Sequence, residues 1–165
     1  MNDLTIGDGQ VTAPDGLALS TRQWLPDDPR AVLLFVHGLG EHSGRYDYVA
    51  RRFAARGFAC YAQVVKAYVN DPLVSRRVSA RWFTEILAAQ EVALANAPRL
   101  AVPALVMQSG ADRLVDGAAT RSWAAAAPAA LVEFVEWEGL YHEMFNEPEK
   151  ETVFARTERW LERRL

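Results

Sequence analysis

Apolar positions in this chain come in two kinds, short continuous runs and helical spacings, and the two kinds take turns. The clearest run is Ala31-Val32-Leu33-Leu34-Phe35-Val36. Such a strand reads as buried on both faces, as in a parallel sheet covered by helices. It breaks into His37-Gly38-Leu39-Gly40, where the glycines free the backbone to turn tightly and aim N–H groups into a site. A helix is expected from about Tyr46 to Arg56, with Tyr46, Val49 and Phe53 at helical spacing and Gly57 as its C-terminal glycine. Phe58 to Val65 reads as the next strand. This strand–helix–strand unit predicts a parallel pair with a right-handed crossover. Upstream, residues 9 to 25 read as a β-hairpin. Pro14-Asp15-Gly16 is the turn, Leu17, Leu19 and Thr21 alternate after it, and residues 25–29 are a loop.

The pattern changes after Gln63. Residues 64–73 have mixed periodicity and a break at Pro72. Ser79 to Asn96 reads as a helix, with Trp82, Ile86 and Leu87 at helical spacing and Ser79 as N-cap. Ala104 to Gln108 is a short buried strand, Gly117 to Ala127 an Ala-rich helix, and Leu131 to Trp137 another strand. Thr152 to Leu165 closes the chain as an amphipathic helix, with Val153, Thr157, Trp160 and Leu161 on one face. Alternating strands and helices place the chain in the α/β class, with a mainly parallel sheet flanked by helices and an N-terminal antiparallel hairpin. The 165 residues suit a single domain.

Composition narrows the function classes. Half the residues are hydrophobic, and the net charge is −3 with a pI near 5.6. No Lys/Arg-rich run stands out, which argues against nucleic acid. No apolar run reaches membrane-spanning length, and the N-terminus does not read as a signal peptide. Cys60 is the single cysteine and lies in an apolar run, so it reads as a buried, inert thiol. A chain without an internal disulfide fits a reducing, cytoplasmic compartment. Trp82, Trp123, Trp137 and Trp160 read as packing residues.

Three strand ends carry polar or glycine-rich loops: His37–Gly40, Ser109-Gly110-Ala111-Asp112, and Gly139-Leu140-Tyr141-His142. In open α/β sheets, ligands bind at such carboxyl ends. A carboxylate after one strand and a histidine after the next form the acid–base half of a Ser-His-acid triad. The first loop can turn backbone N–H groups toward a developing oxyanion. Other readings compete. Asp112 is also ordinary turn chemistry, and Asp116 is its nearest competitor as the acid. His37 reads better as a brace for its loop than as a general base, and His42 and Ser43 as braces or caps of the following helix. Ser109 reads as a packed strand end. The three histidines with Glu41 and Glu143 match no zinc spacing, so no metal and no cofactor is expected.

These motifs carry a resemblance. His37-Gly38-Leu39-Gly40-Glu41-His42-Ser43-Gly44-Arg45-Tyr46 resembles a motif of the α/β-hydrolases of the monoacylglycerol lipase and lysophospholipase branch. Ala67-Tyr68 with Asn70-Asp71-Pro72-Leu73, Gly110-Ala111-Asp112-Arg113-Leu114-Val115-Asp116, and Tyr141-His142-Glu143 with Asn146-Glu147 follow in the matching order. The resemblance spans two blocks, 1–63 and 64–165. It implies hydrolysis of a small acyl-ester or lipid substrate, with Asp112 as triad acid, His142 as base and Leu39 as an oxyanion N–H donor.

The chain also departs from that family. The fold's order is nucleophile, acid, histidine, with the nucleophile in G-x-S-x-G. None of Ser20, Ser43, Ser75, Ser79, Ser109 and Ser122 has the flanking glycines. Gln63 runs directly into Val64-Val65-Lys66-Ala67-Tyr68, which resembles the segment after the lid of those enzymes. On the order of a hundred residues of the pattern are therefore missing. They would hold the nucleophile, its oxyanion N–H, two central strands and the lid. Negligible ester hydrolysis is the expected result. The strands at 31–36 and 104–108 would lose their central neighbours and are expected to pair with each other, or else to leave open edges for self-association. The alternative reading is a non-catalytic α/β scaffold or partner-binding protein.

Overall fold

The computed structural model describes residues 4–12, 16, 18–36, 43–64 and 80–165, without the side chains of 43, 63, 64, 80 and 82. The turn residues Pro14 and Asp15, the loop 37–42 and the segment 65–79 with its expected cap Ser79 lie outside the described residues. The chain forms two compact units, Met1–Arg76 with Leu165, and Arg77–Arg164.

The first unit holds β1 (Leu4–Thr12), β2 (Ala18–Pro26), β3 (Ala31–Phe35), a 3-10 turn at Ser43–Tyr46, α1 (Asp47–Ala54) and β4 (Phe58–Val64). Its sheet has the order β1-β2-β4-β3. The expected hairpin is present and longer than its alternation showed: β1 pairs antiparallel with β2 from Leu4↔Pro26 to Thr12↔Ala18. Pro26, expected in a loop, ends β2 and is buried. The strand–helix–strand unit is also present, with β3 parallel to β4 from Ala31↔Phe58 to Phe35↔Ala62. Gly57 closes α1 at φ +84°, a conformation that costs other residues a Cβ clash. Its carbonyl then accepts from Arg30 N–H at 2.9 Å, which ties the start of β3 to the end of α1.

The core of this unit lies between α1 and strands β2 and β4. Val49, Ala50, Phe53 and Ala54 share the inner face of α1. They are buried, as are Trp24, Phe58, Ala59, Cys60 and Ala62 of the strands. The Phe53 and Phe58 rings meet edge to face at 6.0 Å, the arrangement their quadrupoles prefer. Trp24 is fully buried, yet its indole N–H donates to Asp47 Oδ1 at 2.9 Å, so its one polar atom is satisfied. Burial pushes the Cys60 thiol up to about 12, which makes it a core residue rather than a thiolate.

The second unit holds α2 (Ala80–Asn96), a 3-10 turn (Ala97–Arg99), β5 (Ala104–Ser109), α3 (Gly117–Ala126), β6 (Val132–Trp137) and α4 (Lys150–Glu162). β5 and β6 pair parallel from Ala104↔Val132 to Ser109↔Trp137. α4 buries Val153 and Phe154, and the Phe154 ring packs on Phe145 at 5.0 Å. Glu133 on β6 pairs with both Arg156 and Arg163, which pins α4 to the strand.

One expectation is corrected. β3 is not buried on both faces: Val32, Leu34 and Val36, on one side of the pleat, are 66%, 68% and 78% exposed. Among the described residues β3 pairs with β4 in the first unit and β5 with β6 in the second. The helix expected at 79–96 is present as α2, but every side chain described on it is exposed, Ile86 and Leu87 included.

Candidate acid–base site

Two loops at the carboxyl ends of β5 and β6 build the site. β5 ends in the buried Gln108 and Ser109, and the chain then turns through Gly110 and Ala111 to Asp112. Gly110 N–H donates to Trp137 O at 2.8 Å, and Ala111 N–H to Leu140 O at 3.0 Å. These bonds lace the first loop to the second. A Cβ at Gly110 would stand 3.1 Å from Trp137 O and 3.2 Å from Glu138 Cα, so a side chain there would push the two loops apart by a few tenths of an ångström. On the other side Gly139 turns at φ +79° and Leu140 drops its buried side chain into the core. Tyr141 and His142 emerge directly after that anchor.

The lacing brings Asp112 and His142 together, with His142 Nδ1 at 3.0 Å from Asp112 Oδ2. The other carboxylate oxygen, Oδ1, accepts from Leu114 N–H at 2.8 Å and Val115 N–H at 3.1 Å. Burial works to raise the Asp112 carboxyl. The bonds from Leu114 N–H, the His142 ring and Val115 N–H outweigh it and hold the group below the ordinary carboxylate range. Asp112 is therefore an anion at neutral pH and can only accept. The proton between the two residues sits on Nδ1, which leaves Nε2 of the neutral ring with its lone pair. The Asp112 side chain is 6% exposed and that of His142 41%. An imidazole open to solvent, with a held carboxylate on its other nitrogen, can take a proton from a group in front of it.

The competing acid is placed elsewhere. Asp116 Oδ1 accepts from Ala118 N–H at 2.8 Å and caps α3, which gives it a structural task. Glu143, beside His142, accepts from Asn146 Nδ2 at 2.6 Å and closes the next turn. Ser109 is buried at the end of β5, and its hydroxyl has no partner among the described residues. The expected oxyanion loop, His37, Gly38, Leu39 and Gly40, lies outside the described residues, as does His42. Among the described residues no group of three His, Cys, Asp or Glu side chains could hold a metal ion. No described helix is long and apolar enough to cross a membrane. Trp24 and its bond to Asp47 were not legible as a pair; the one signal was an indole inside an alternating strand, which must find an acceptor if buried.

A family model described as serine aminopeptidase, S33, matches residues 27–63 and 61–149, two pieces that meet at 61–63. The chain is similar to phospholipase YtpA of Bacillus subtilis, 47% identical over 92 residues, which are 55% of this chain and 36% of that protein. It is similar to a monoacylglycerol lipase of Mycolicibacterium smegmatis, 55% identical over 40 residues, 24% of this chain and 14% of that one. These matches span well under two thirds of either relative. Among solved structures, the monoacylglycerol lipase of Paleococcus ferrophilus superposes with a TM-score of 0.70 at 17% identity, over 95% of this chain and 98% of that one. A likeness at that identity shows the α/β-hydrolase fold.

Proposed function

The chain belongs to the serine aminopeptidase S33 family of α/β-hydrolases, in its lipase and esterase branch, and on that premise we propose that it keeps the proton-handling half of an acyl-ester hydrolase. In this reading Asp112 is the acid that orients His142, and His142 is the base that would activate a serine. Leu39 is assigned an oxyanion N–H donor, with His37, Gly38 and Gly40 shaping its loop. The substrate class is a fatty-acyl monoester such as a monoacylglycerol or lysophospholipid, and no cofactor takes part. The setting is cytoplasmic, which suits a single buried thiol. The two compact units serve as parts of one hydrolase-like domain. One observation carries the reading: the 3.0 Å contact between His142 Nδ1 and Asp112 Oδ2, at the ends of neighbouring parallel strands.

The sequence has no G-x-S-x-G elbow for that base to serve. A triad without its nucleophile retains only about 10³–10⁴-fold acceleration over water, from binding and the oxyanion hole. Hydrolysis of a medium-chain monoacylglycerol by the purified chain is therefore expected to stay at the level of a His142→Ala variant. Release of fatty acid well above that control overturns this account.

The second reading, a partner-binding scaffold, has its own support. β3, an edge strand among the described residues, exposes Val32 and Leu34 with Val36 just after it, and α2 exposes Phe83, Ile86 and Leu87. An edge strand without charge or proline lacks the usual devices against pairing with another chain. Sedimentation analysis separates the two: self-association that Leu34→Lys abolishes favours the scaffold, and a monomer at all concentrations removes it.

A further inference from the structure

The base described above has a side chain that is 41% exposed and no serine partner among the described residues. Nδ1 is committed to Asp112, so the ring is held in one orientation and one tautomer. Nε2 has no hydrogen-bond partner among the described residues, and the lone pair it keeps in this tautomer is free to react. Exposed apolar side chains stand next to both members of the pair in the chain: Leu114 and Val115 after Asp112, and Tyr141 before His142. Leu114 and Val115 are held there because their own N–H groups bind the Asp112 carboxylate. An imidazole so fixed and open to solvent can act as a nucleophile in its own right.

We propose that His142 itself accepts acyl groups through Nε2, from activated esters whose leaving group is an aryl oxide. The proposal rests on the acid–base reading of Asp112 and His142. It narrows the expectation of negligible hydrolysis to esters with alkoxide leaving groups.

The steps balance as follows. The Nε2 lone pair forms a bond to the carbonyl carbon, and the carbonyl π pair moves onto oxygen. That pair returns and the bond to the aryl oxygen breaks, so the aryl oxide departs with its electron pair. The product is an N-acylimidazolium whose remaining proton lies on Nδ1, against the Asp112 carboxylate. Water then adds to the acyl carbon and releases one proton to solvent. The C–N bond breaks, and its electron pair returns to Nε2. The carboxylic acid leaves and ionises.

Leaving-group ability sets the substrate class. An imidazole is a far better leaving group than a glycerol alkoxide, so its adduct with an acylglycerol reverts. It is no better than a nitrophenolate, so the adduct with a nitrophenyl ester goes forward.

The experiment follows nitrophenol release from p-nitrophenyl acetate by the purified full chain, beside His142→Ala and Asp112→Asn. The circular dichroism of each variant shows whether it folds. The expected steady rate exceeds that of His142→Ala by roughly tenfold or more, with Asp112→Asn between them. Acid-quenched samples should carry an acetyl group on His142 by peptide mass spectrometry. The solvent deuterium isotope effect on the initial burst of release should be absent, since attack by nitrogen moves no proton. Prior treatment with a fluorophosphonate should leave the rate unchanged. A rate equal to that of His142→Ala overturns the proposal and leaves the acid–base reading standing. A rate abolished by the fluorophosphonate, with a labelled serine, overturns both.

Discussion

Thirty residues of chain separate His142 from Asp112, yet the imidazole Nδ1 lies 3.0 Å from Asp112 Oδ2. Asp112 is otherwise saturated by its own turn, with Leu114 and Val115 N–H on its second oxygen. An anion held on one side by its backbone and on the other by a single imidazole fixes where the imidazole proton sits. The neutral His142 ring should therefore carry its proton on Nδ1. Nitrogen-15 NMR correlated to the ring protons reads the tautomer directly. Asp112→Asn should move the ring toward the Nε2-protonated form that dominates in free histidine. A ring already of that form in the unsubstituted chain contradicts the assignment.

The loops that hold the pair depend on one glycine. Gly110→Ala forces a methyl group to within 3.1 Å of Trp137 O and 3.2 Å of Glu138 Cα, both backbone. The loops must part by a few tenths of an ångström, which strains the Gly110–Trp137 and Ala111–Leu140 bonds. A loss of about 1–3 kcal/mol in chemical denaturation is expected, as for other overpacked sites. The Nδ1-protonated tautomer of His142 should weaken with it. An alanine variant as stable as the parent removes Gly110 from the account.

Asp112 and Asp116 lie four residues apart, and the sequence left both open as the acid. Their partners separate them, because Asp116 caps α3 through Ala118 N–H. Asp116→Ala should cost about 1 kcal/mol of stability and leave the His142 tautomer untouched. Asp112→Ala should do the reverse at the ring. If Asp116→Ala changes the His142 tautomer, the two roles have been exchanged.

Trp24 and Asp47 make the corresponding link in the first unit. Trp24→Phe keeps most of the apolar contact and leaves Asp47 Oδ1 without its indole donor, a loss of about 1 kcal/mol. Trp24→Ala also opens a cavity, for about 3–5 kcal/mol. Burial acts to raise the Asp47 carboxyl, but the bonds from Arg51 and Trp24, with the charges of Arg51 and Arg22, bring it below its ordinary 3.8. A carboxyl depressed in the folded state stabilises fully above its unfolded value, and that contribution fades as pH falls through the lower folded value. Melting followed from pH 6 down to about pH 2 should show Asp47→Asn losing less stability with acid than the parent. Parallel curves count against the link.

Local signals made much of the fold legible. Pro14-Asp15-Gly16 marked the hairpin, and Gly57 marked the end of α1, where φ is +84°. The runs at 104–108 and 131–137 lie within a residue of β5 and β6. Asp112 and His142 were legible as a motif, and the structure brings them into contact. What stayed hidden depends on partners distant in sequence. The continuous apolar run of β3 looks the same whether its faces are covered or open, and one open face leaves Val32, Leu34 and Val36 exposed. The spacing of Ile86 and Leu87 shows a helix but not what covers it, and both are exposed on α2. The tasks of Asp116 and Trp24 rest on single hydrogen bonds, which no periodicity records.

The central claim is that the chain holds an oriented acid–base pair with no serine for it to activate. Intact-mass spectrometry after incubation with an excess of a fluorophosphonate tests it most directly, because the reagent marks a serine activated by such a base. The account predicts a mass unchanged from the untreated chain. A stoichiometric phosphonyl adduct on any of Ser20, Ser43, Ser75, Ser79, Ser109 or Ser122, lost in His142→Ala, contradicts it.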